Sequence, residues 1–150
     1  MAKLCDMGNA CGFAKVRTFI ASGNLLFQSD LEEAEIMAVL EKRLFDHAGK
    51  RVPVLLRTAR EMDAIVAADP FTDAHPSRNL VYFYHQAPPP DLIERCRDVR
   101  GERLAVSRRE LYVDYGDGIR HTRLKIPENG DGTSRSINSV RRMVASFASA

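Results

Sequence analysis

Residues 16–29 read VRTFIASGNLLFQS. VRTFIA and LLFQ are both rich in the β-branched and aromatic side chains that suit a pleated surface. Between them stands Gly23-Asn24, a two-residue connection whose glycine supplies a positive φ without steric cost. The stretch predicts a β-hairpin. Ser29 or Asp30 then opens a helix, because Glu32 and Glu33 stand three residues on and either pair makes a capping box. Ile36, Val39, Leu40 and Leu44 form its apolar stripe, to about residue 48.

Upstream, residues 2–12 (AKLCDMGNACG) predict a helix. Leu4, Met7 and Cys11 share one side, Gly12 suits the stop, and Gly8 and Asn9 weaken the pattern. Downstream, RVPVLLR (51–57) reads as a strand. Pro53 cannot donate to a ladder, which puts that strand at an edge. Thr58 and Glu61 make a second capping box, opening a helix to about Ala68 that Asp69-Pro70 stops. Residues 69–78 read as a loop.

The second half repeats the grammar. NLVYFYH (79–85) is a strand, and Pro88 to Pro90 lead into a helix over 91–99 with Leu92, Ile93 and Cys96 inward. RLAVS (103–107) and ELYVDY (110–115) form a second hairpin, and Gly116-Asp117-Gly118 a turn. A short strand over 122–126 and a PENGDG loop precede a final amphipathic helix over 134–148. The fold class is α+β, built of two ferredoxin-like (split β-α-β) halves with antiparallel sheets covered mainly on one face. The halves are 1–68 and 69–150. The first is truncated at its opening strand, and the second lacks its closing one. Strand edges left unpaired in this way favour self-association.

Composition agrees with a packed domain. The 150 residues are 45% hydrophobic and 28% charged, with 9 Gly and 7 Pro, which excludes disordered and collagen-like chains. No apolar run reaches a membrane span and no basic-then-apolar start marks a signal peptide, so a soluble cytoplasmic protein is expected. The three cysteines, Cys5, Cys11 and Cys96, make no CxxC and read as reduced thiols. The net charge of +2 is unevenly spread, and the basic excess follows Ile119. There Arg120, Arg123, Lys125, Arg135, Arg141 and Arg142 face Glu128 and Asp131. A solvated basic surface and an anion-binding surface both fit.

Cys11-Gly12-Phe13 followed by VRTFIASGNLLF resembles a bacterial family catalogued as domain of unknown function 1697. Its pattern has a Gly-Phe, then Val-Arg-Thr-aromatic-Ile-x-Ser-Gly-Asn, then an apolar strand ending in Phe. The resemblance continues at VPVLLRTAREM, at DPF (69–71), at YVDYGDGI and at TSRSINSVRRM. The family opens with a strand and an Arg-Gly-Ile-Asn-Val-Gly-Gly stretch that this chain does not show. Near the C-terminus Ser136 and Ser139 stand where the family has Asn and Thr. The resemblance implies the fold and leaves the activity open.

Ser22-Gly23-Asn24 reads as a hairpin turn, or as a loop able to cradle a phosphate. It lacks the strand-to-helix setting of a nucleophile elbow. His47, His75, His85 and His121 show no metal-ligand spacing, and no metal or cofactor is expected. Tyr82, Phe83 and Tyr84 read as packing residues or as a stacking platform for bases. On the last helix Ile137, Val140, Val144 and Phe147 share one face, and Arg135, Asn138, Ser139 and Arg142 the other. Thr133, Ser134 or Ser136 caps its start, where free N–H groups and the dipole favour an anion. Two functions follow. One is a module binding an anionic ligand: phosphate, nucleotide or nucleic acid. The alternative is an enzyme acting on a small phosphorylated or acidic substrate, although no acid–base pair or partnered nucleophile is legible.

Overall fold

The computed structural model describes residues 2–19, 24–116, 122–127 and 133–147. Helices and antiparallel sheets make the chain α+β. It packs as two compact units, divided between Leu56 and Arg57.

The first unit begins with α1 (Ala2–Ala10). Gly12 stops it in the left-handed region, at φ 84°. The Gly12 N–H donates to the Asn9 carbonyl at 3.0 Å and the Phe13 N–H to Gly8 at 3.2 Å. That pair of bonds is a Schellman ending, which a Cβ at Gly12 would strain. Gly8 weakens the helix but permits its packing: a Cβ there would lie 2.8 Å from Val16 Cγ1.

β1 (Ala14–Thr18) and β2 (Leu25–Gln28) form the expected antiparallel hairpin, with Thr18 opposite Leu25. Asn24, expected in the two-residue loop, is paired with Phe19. Phe19 N–H donates to the Asn24 carbonyl at 3.2 Å, and Asn24 Nδ2 to the Phe19 carbonyl at 3.0 Å. Asn24 thus faces Phe19 across the hairpin. Ser22 and Gly23 lie outside the described residues.

α2 (Glu33–Ala48) starts later than expected, with Glu32 at the N-cap and no side-chain cap. Ser29 Oγ instead accepts from Leu31 N–H at 3.1 Å, closing a turn after β2, so neither expected capping box forms. Phe13, Ile36 and Leu40 are the buried core, with Val16, Leu25, Phe27 and Val39 around them. The rings of Phe13 and Phe27 stack at 4.1 Å. Residues 51–57 do not form the expected edge strand and join no ladder among the described residues. Pro53 withdraws one donor. The apolar residues of the segment are satisfied by burial instead, since Val54 and Leu56 pack on the core.

The second unit opens at α3 (Ala59–Ala67), whose capping box is the expected one. Glu61 N–H donates to Thr58 Oγ1 at 3.0 Å, and Thr58 N–H to Glu61 Oε1 at 2.9 Å. The sheet contains β3 (Asn79–Phe83), β4 (Arg103–Ser107), β5 (Glu110–Asp114) and β6 (Ser134–Ser136), in the order β4-β5-β3-β6. Every neighbouring pair is antiparallel.

β6 corrects two expectations. It supplies a closing strand, pairing Ser136 with Leu80 and Ser134 with Tyr82. It also shortens the last helix, α5, to Ile137–Phe147. Serine and threonine are mediocre helix formers, and ladder bonds to β3 claim that segment first. The helix expected over 91–99 shrinks to α4 (Leu92–Arg95), because Cys96 turns extended. Arg97 then bridges Lys125, which is all that appears of the strand expected over 122–126.

This sheet is covered on both faces, not mainly one. Val81 and Tyr112 lie opposite each other on the helix side, where Tyr112 Oη donates to the Ile65 carbonyl of α3 at 2.7 Å. On the other side Leu92 of α4 packs with Leu111, Val113, Tyr84 and Tyr115, joined by Leu124 and Ile126. All of β5 is consequently buried.

Candidate functional site

α5 buries Ile137 and Val140 of the expected stripe, adds Met143, leaves Val144 and Phe147 half-buried, and exposes Asn138 and Arg142. Ser136 is the cap: its Oγ accepts from Ser139 N–H at 3.2 Å and donates to Ser139 Oγ at 3.1 Å. Asn138 N–H donates to the Pro76 carbonyl at 3.2 Å. Two first-turn donors expected to be free for an anion are therefore taken by protein acceptors. Arg135 is not on the helix at all. It lies on β6 opposite Val81, and its Nη1 donates to the Ser134 carbonyl at 2.7 Å. Of the expected site residues, Asn138, Ser139 and Arg142 lie on α5 and Arg135 on β6, and the N–H groups of Asn138 and Ser139 are not open to a ligand.

Sequence reading missed a polar network on the helix side of the sheet. Asp69 has a fully buried carboxylate. Its Oδ1 accepts from Phe71 N–H at 3.0 Å and Asn79 Nδ2 at 2.9 Å, and its Oδ2 meets Arg141 at 3.2 Å. Asn79 is completely buried, and its Oδ1 finds no donor among the described residues. Opposite Asn79, Asp114 accepts from Arg103 Nε at 2.8 Å and from Gly116 N–H at 2.9 Å. Arg103 also reaches Asp73 at 2.9 Å and lies 4.8 Å over the Phe71 ring. That contact holds the Asp73 carboxyl below the usual range. The network straps the 69–78 loop to the sheet and to α5. The available signal was the Asp69-Pro70-Phe71 run, which reads locally as a helix stop. Its distant partners Asn79 and Arg141 carry no spacing that announces them.

Burial pushes the Cys96 thiol up, so it stays protonated, and its Sγ lies 3.4 Å from the Leu92 carbonyl. Among the described residues no three His, Cys, Asp or Glu side chains are grouped to hold a metal. Nor is any helix long and apolar enough to cross a membrane. Tyr82 and Tyr115 share a hydroxyl–hydroxyl bond of 2.5 Å, and Phe83 and Tyr84 are buried. Burial and that bond raise the Tyr115 pKa.

A family model described as "Protein of unknown function (DUF1697)" matches residues 1–112. The chain belongs to this family. The residues matched include the Schellman ending of α1 at Gly12 and the Asp69-Pro70-Phe71 start of the buried strap. A solved structure of a conserved bacterial protein from Streptococcus pneumoniae is similar in fold. Its TM-score is 0.73 at 18% identity, covering 99% of this DUF1697 chain and 88% of that one. No curated protein shows significant similarity to the chain.

Proposed function

We propose that this DUF1697 protein is a binding module for an anionic ligand, seated at the β6–α5 junction. The observation that carries the reading is the makeup of residues 133–147. They hold Arg135, Arg141 and Arg142 and no carboxylate of their own. Arg141 meets Asp69, and Arg142 and Asn138 stand exposed one turn apart. A guanidinium suits planar recognition of a phosphate or carboxylate, with Asn138 and Ser139 adding neutral hydrogen bonds. The side chains do this work, because the helix N–H groups of Asn138 and Ser139 are already bonded. The ligand class spans phosphate, nucleotide and nucleic acid.

The second unit also supports the ferredoxin-like reading. Counted within the unit, the order β4-β5-β3-β6 is 2-3-1-4, the antiparallel arrangement of that fold read from its other edge. Its outer strands leave edges through which a second copy can pair.

Thermal unfolding at fixed ionic strength tests the ligand reading. Inorganic phosphate, a nucleotide and a short single-stranded oligonucleotide are each compared with chloride. At least one is expected to raise Tm, with the rise lost in Arg135→Ala and in Arg142→Ala. Equal responses from wild type and both variants would refute the site. A steep salt dependence confined to the oligonucleotide would identify nucleic acid as the ligand.

A further inference from the structure

Arg97 and Lys125 stand directly opposite each other in an isolated antiparallel bridge. Arg97 N–H donates to the Lys125 carbonyl at 3.0 Å, and Lys125 N–H to the Arg97 carbonyl at 2.9 Å. Residues so opposed project from the same face of the ribbon, with Cβ atoms about 5 Å apart. Two cations are therefore held side by side. Like charges directly opposite weaken a bridge instead of supporting it. Both side chains are exposed, and neither takes part in an ion pair among the described residues.

The bridge lines a cleft of about 460 Å³, shared with Glu94, Arg95, Cys96 and Ile126. Arg95 is already matched by Asp91 at 3.2 Å. Glu94 is the one carboxylate among the lining residues, against three cations. Leu124 and Ile126, on either side of Lys125, pack on the buried cluster beneath the sheet. The backbone that presents the two charges is thus anchored before any ligand arrives, which lowers the ordering cost of binding.

We propose that this cleft binds a small dianion of the phosphate or phosphomonoester class. Arg97 supplies a planar fork for two oxygens, and Lys125 a point charge on a third. The bound dianion balances the two cations and removes their repulsion. The site is separate from the α5 face and does not depend on it.

The experiment uses the full chain, with phosphate affinity measured by titration and Tm measured in chloride and in phosphate at matched ionic strength. Inorganic phosphate and phenyl phosphate are both expected to bind and to raise Tm. Arg97→Gln and Lys125→Gln should each weaken binding about tenfold or more, as loss of a charge-assisted contact does. The same two variants should raise Tm in chloride alone, because each removes one of two repelling charges. Lys125→Arg should keep phosphate binding. Wild type without a phosphate response would overturn the proposal. So would glutamine variants that bind phosphate like wild type. A response abolished by Arg142→Ala but kept by Lys125→Gln would also overturn it, and would assign the anion to the α5 face. A response kept by Arg142→Ala and lost in Lys125→Gln supports the cleft and refutes the α5 seat for phosphate.

Discussion

The guanidinium of Arg57 lies 2.9 Å from the carboxylate of Glu110, with both side chains at least 95% buried: 4% and 5% remain exposed. Arg57 Nη2 also donates to the Tyr84 and Arg109 carbonyls, at 2.6 and 3.2 Å, and the guanidinium lies 5.4 Å over the Phe83 ring. An ion pair removed from water must be fully bonded to be tolerated. Removing one partner leaves the other charged and unmatched. Arg57→Met is expected to cost about 3–5 kcal/mol in urea unfolding. Arg57→Met combined with Glu110→Leu should cost clearly less than the two single changes added together. An Arg57→Met protein within about 1 kcal/mol of wild type would show that water reaches the pair.

Local signals in the sequence were read well where one element satisfies itself. The Thr58–Glu61 capping box and the 103–115 hairpin both require partners within a few residues. Reading failed where a distant partner decides. Ser134 to Ser136 look like the start of a helix until β3 offers a ladder, and RVPVLLR looks like a strand until no described neighbour pairs with it. The candidate site divides the same way. Asn138 and Arg142 follow from helical spacing, whereas Asp69 meets Asn79 and Arg141 through tertiary contacts that no spacing encodes.

Glu61 joins a cap to a charge. Burial raises its pKa, but the Thr58 N–H and the Arg109 guanidinium, 2.6 Å away, outweigh that and hold the carboxyl below its usual range. A carboxylate with a depressed folded pKa adds stability above its unfolded pKa and loses it as pH falls through the folded value. Glu61→Gln keeps the capping acceptor and loses the charge facing Arg109, and should cost up to about 1 kcal/mol at pH 7, the scale of a partly exposed ion pair. The gap from wild type should close as pH falls below the carboxylate range. Chemical denaturation from pH 7 down to pH 3 checks this, and a gap constant in pH would mean that the cap acts without its charge.

Gly8 poses a contest between helix propensity and packing. Alanine in a helix interior gains about 1 kcal/mol over glycine. Here its Cβ would stand 2.8 Å from Val16 Cγ1 and 3.3 Å from Leu25 Cδ2. Val16 is a short β-branched side chain on β1 and cannot swing far. Overpacking of this kind costs about 1–3 kcal/mol. Gly8→Ala should thus destabilise the protein by up to about 2 kcal/mol, against the sign that propensity alone gives. A Tm above wild type would mean that α1 moves outward freely.

Asn79 tests the buried strap by charge. Its Nδ2 donates to Asp69 Oδ1 at 2.9 Å, both groups being buried. Asn79→Asp keeps the shape and replaces that donor with a second carboxylate. Two carboxylates at this distance cannot both ionise, so one pKa rises steeply. Arg141, 3.2 Å from Asp69 Oδ2, already serves the first charge, and Asp114 across the sheet adds a third carboxylate matched by Arg103. The raised group binds a proton in the folded state that it has lost in the unfolded state near pH 7. Stability of the variant therefore falls as pH rises above the unfolded pKa, and the loss levels off once pH passes the folded value. A shift of two pKa units corresponds to about 3 kcal/mol at pH 7. The measurement is urea unfolding of wild type and Asn79→Asp between pH 4 and pH 8, where the stability gap should widen with pH and become small at pH 4. A gap of equal size at both ends would mean that the carboxylate escapes to solvent, and that the strap is not held by the Asp69–Asn79 bond.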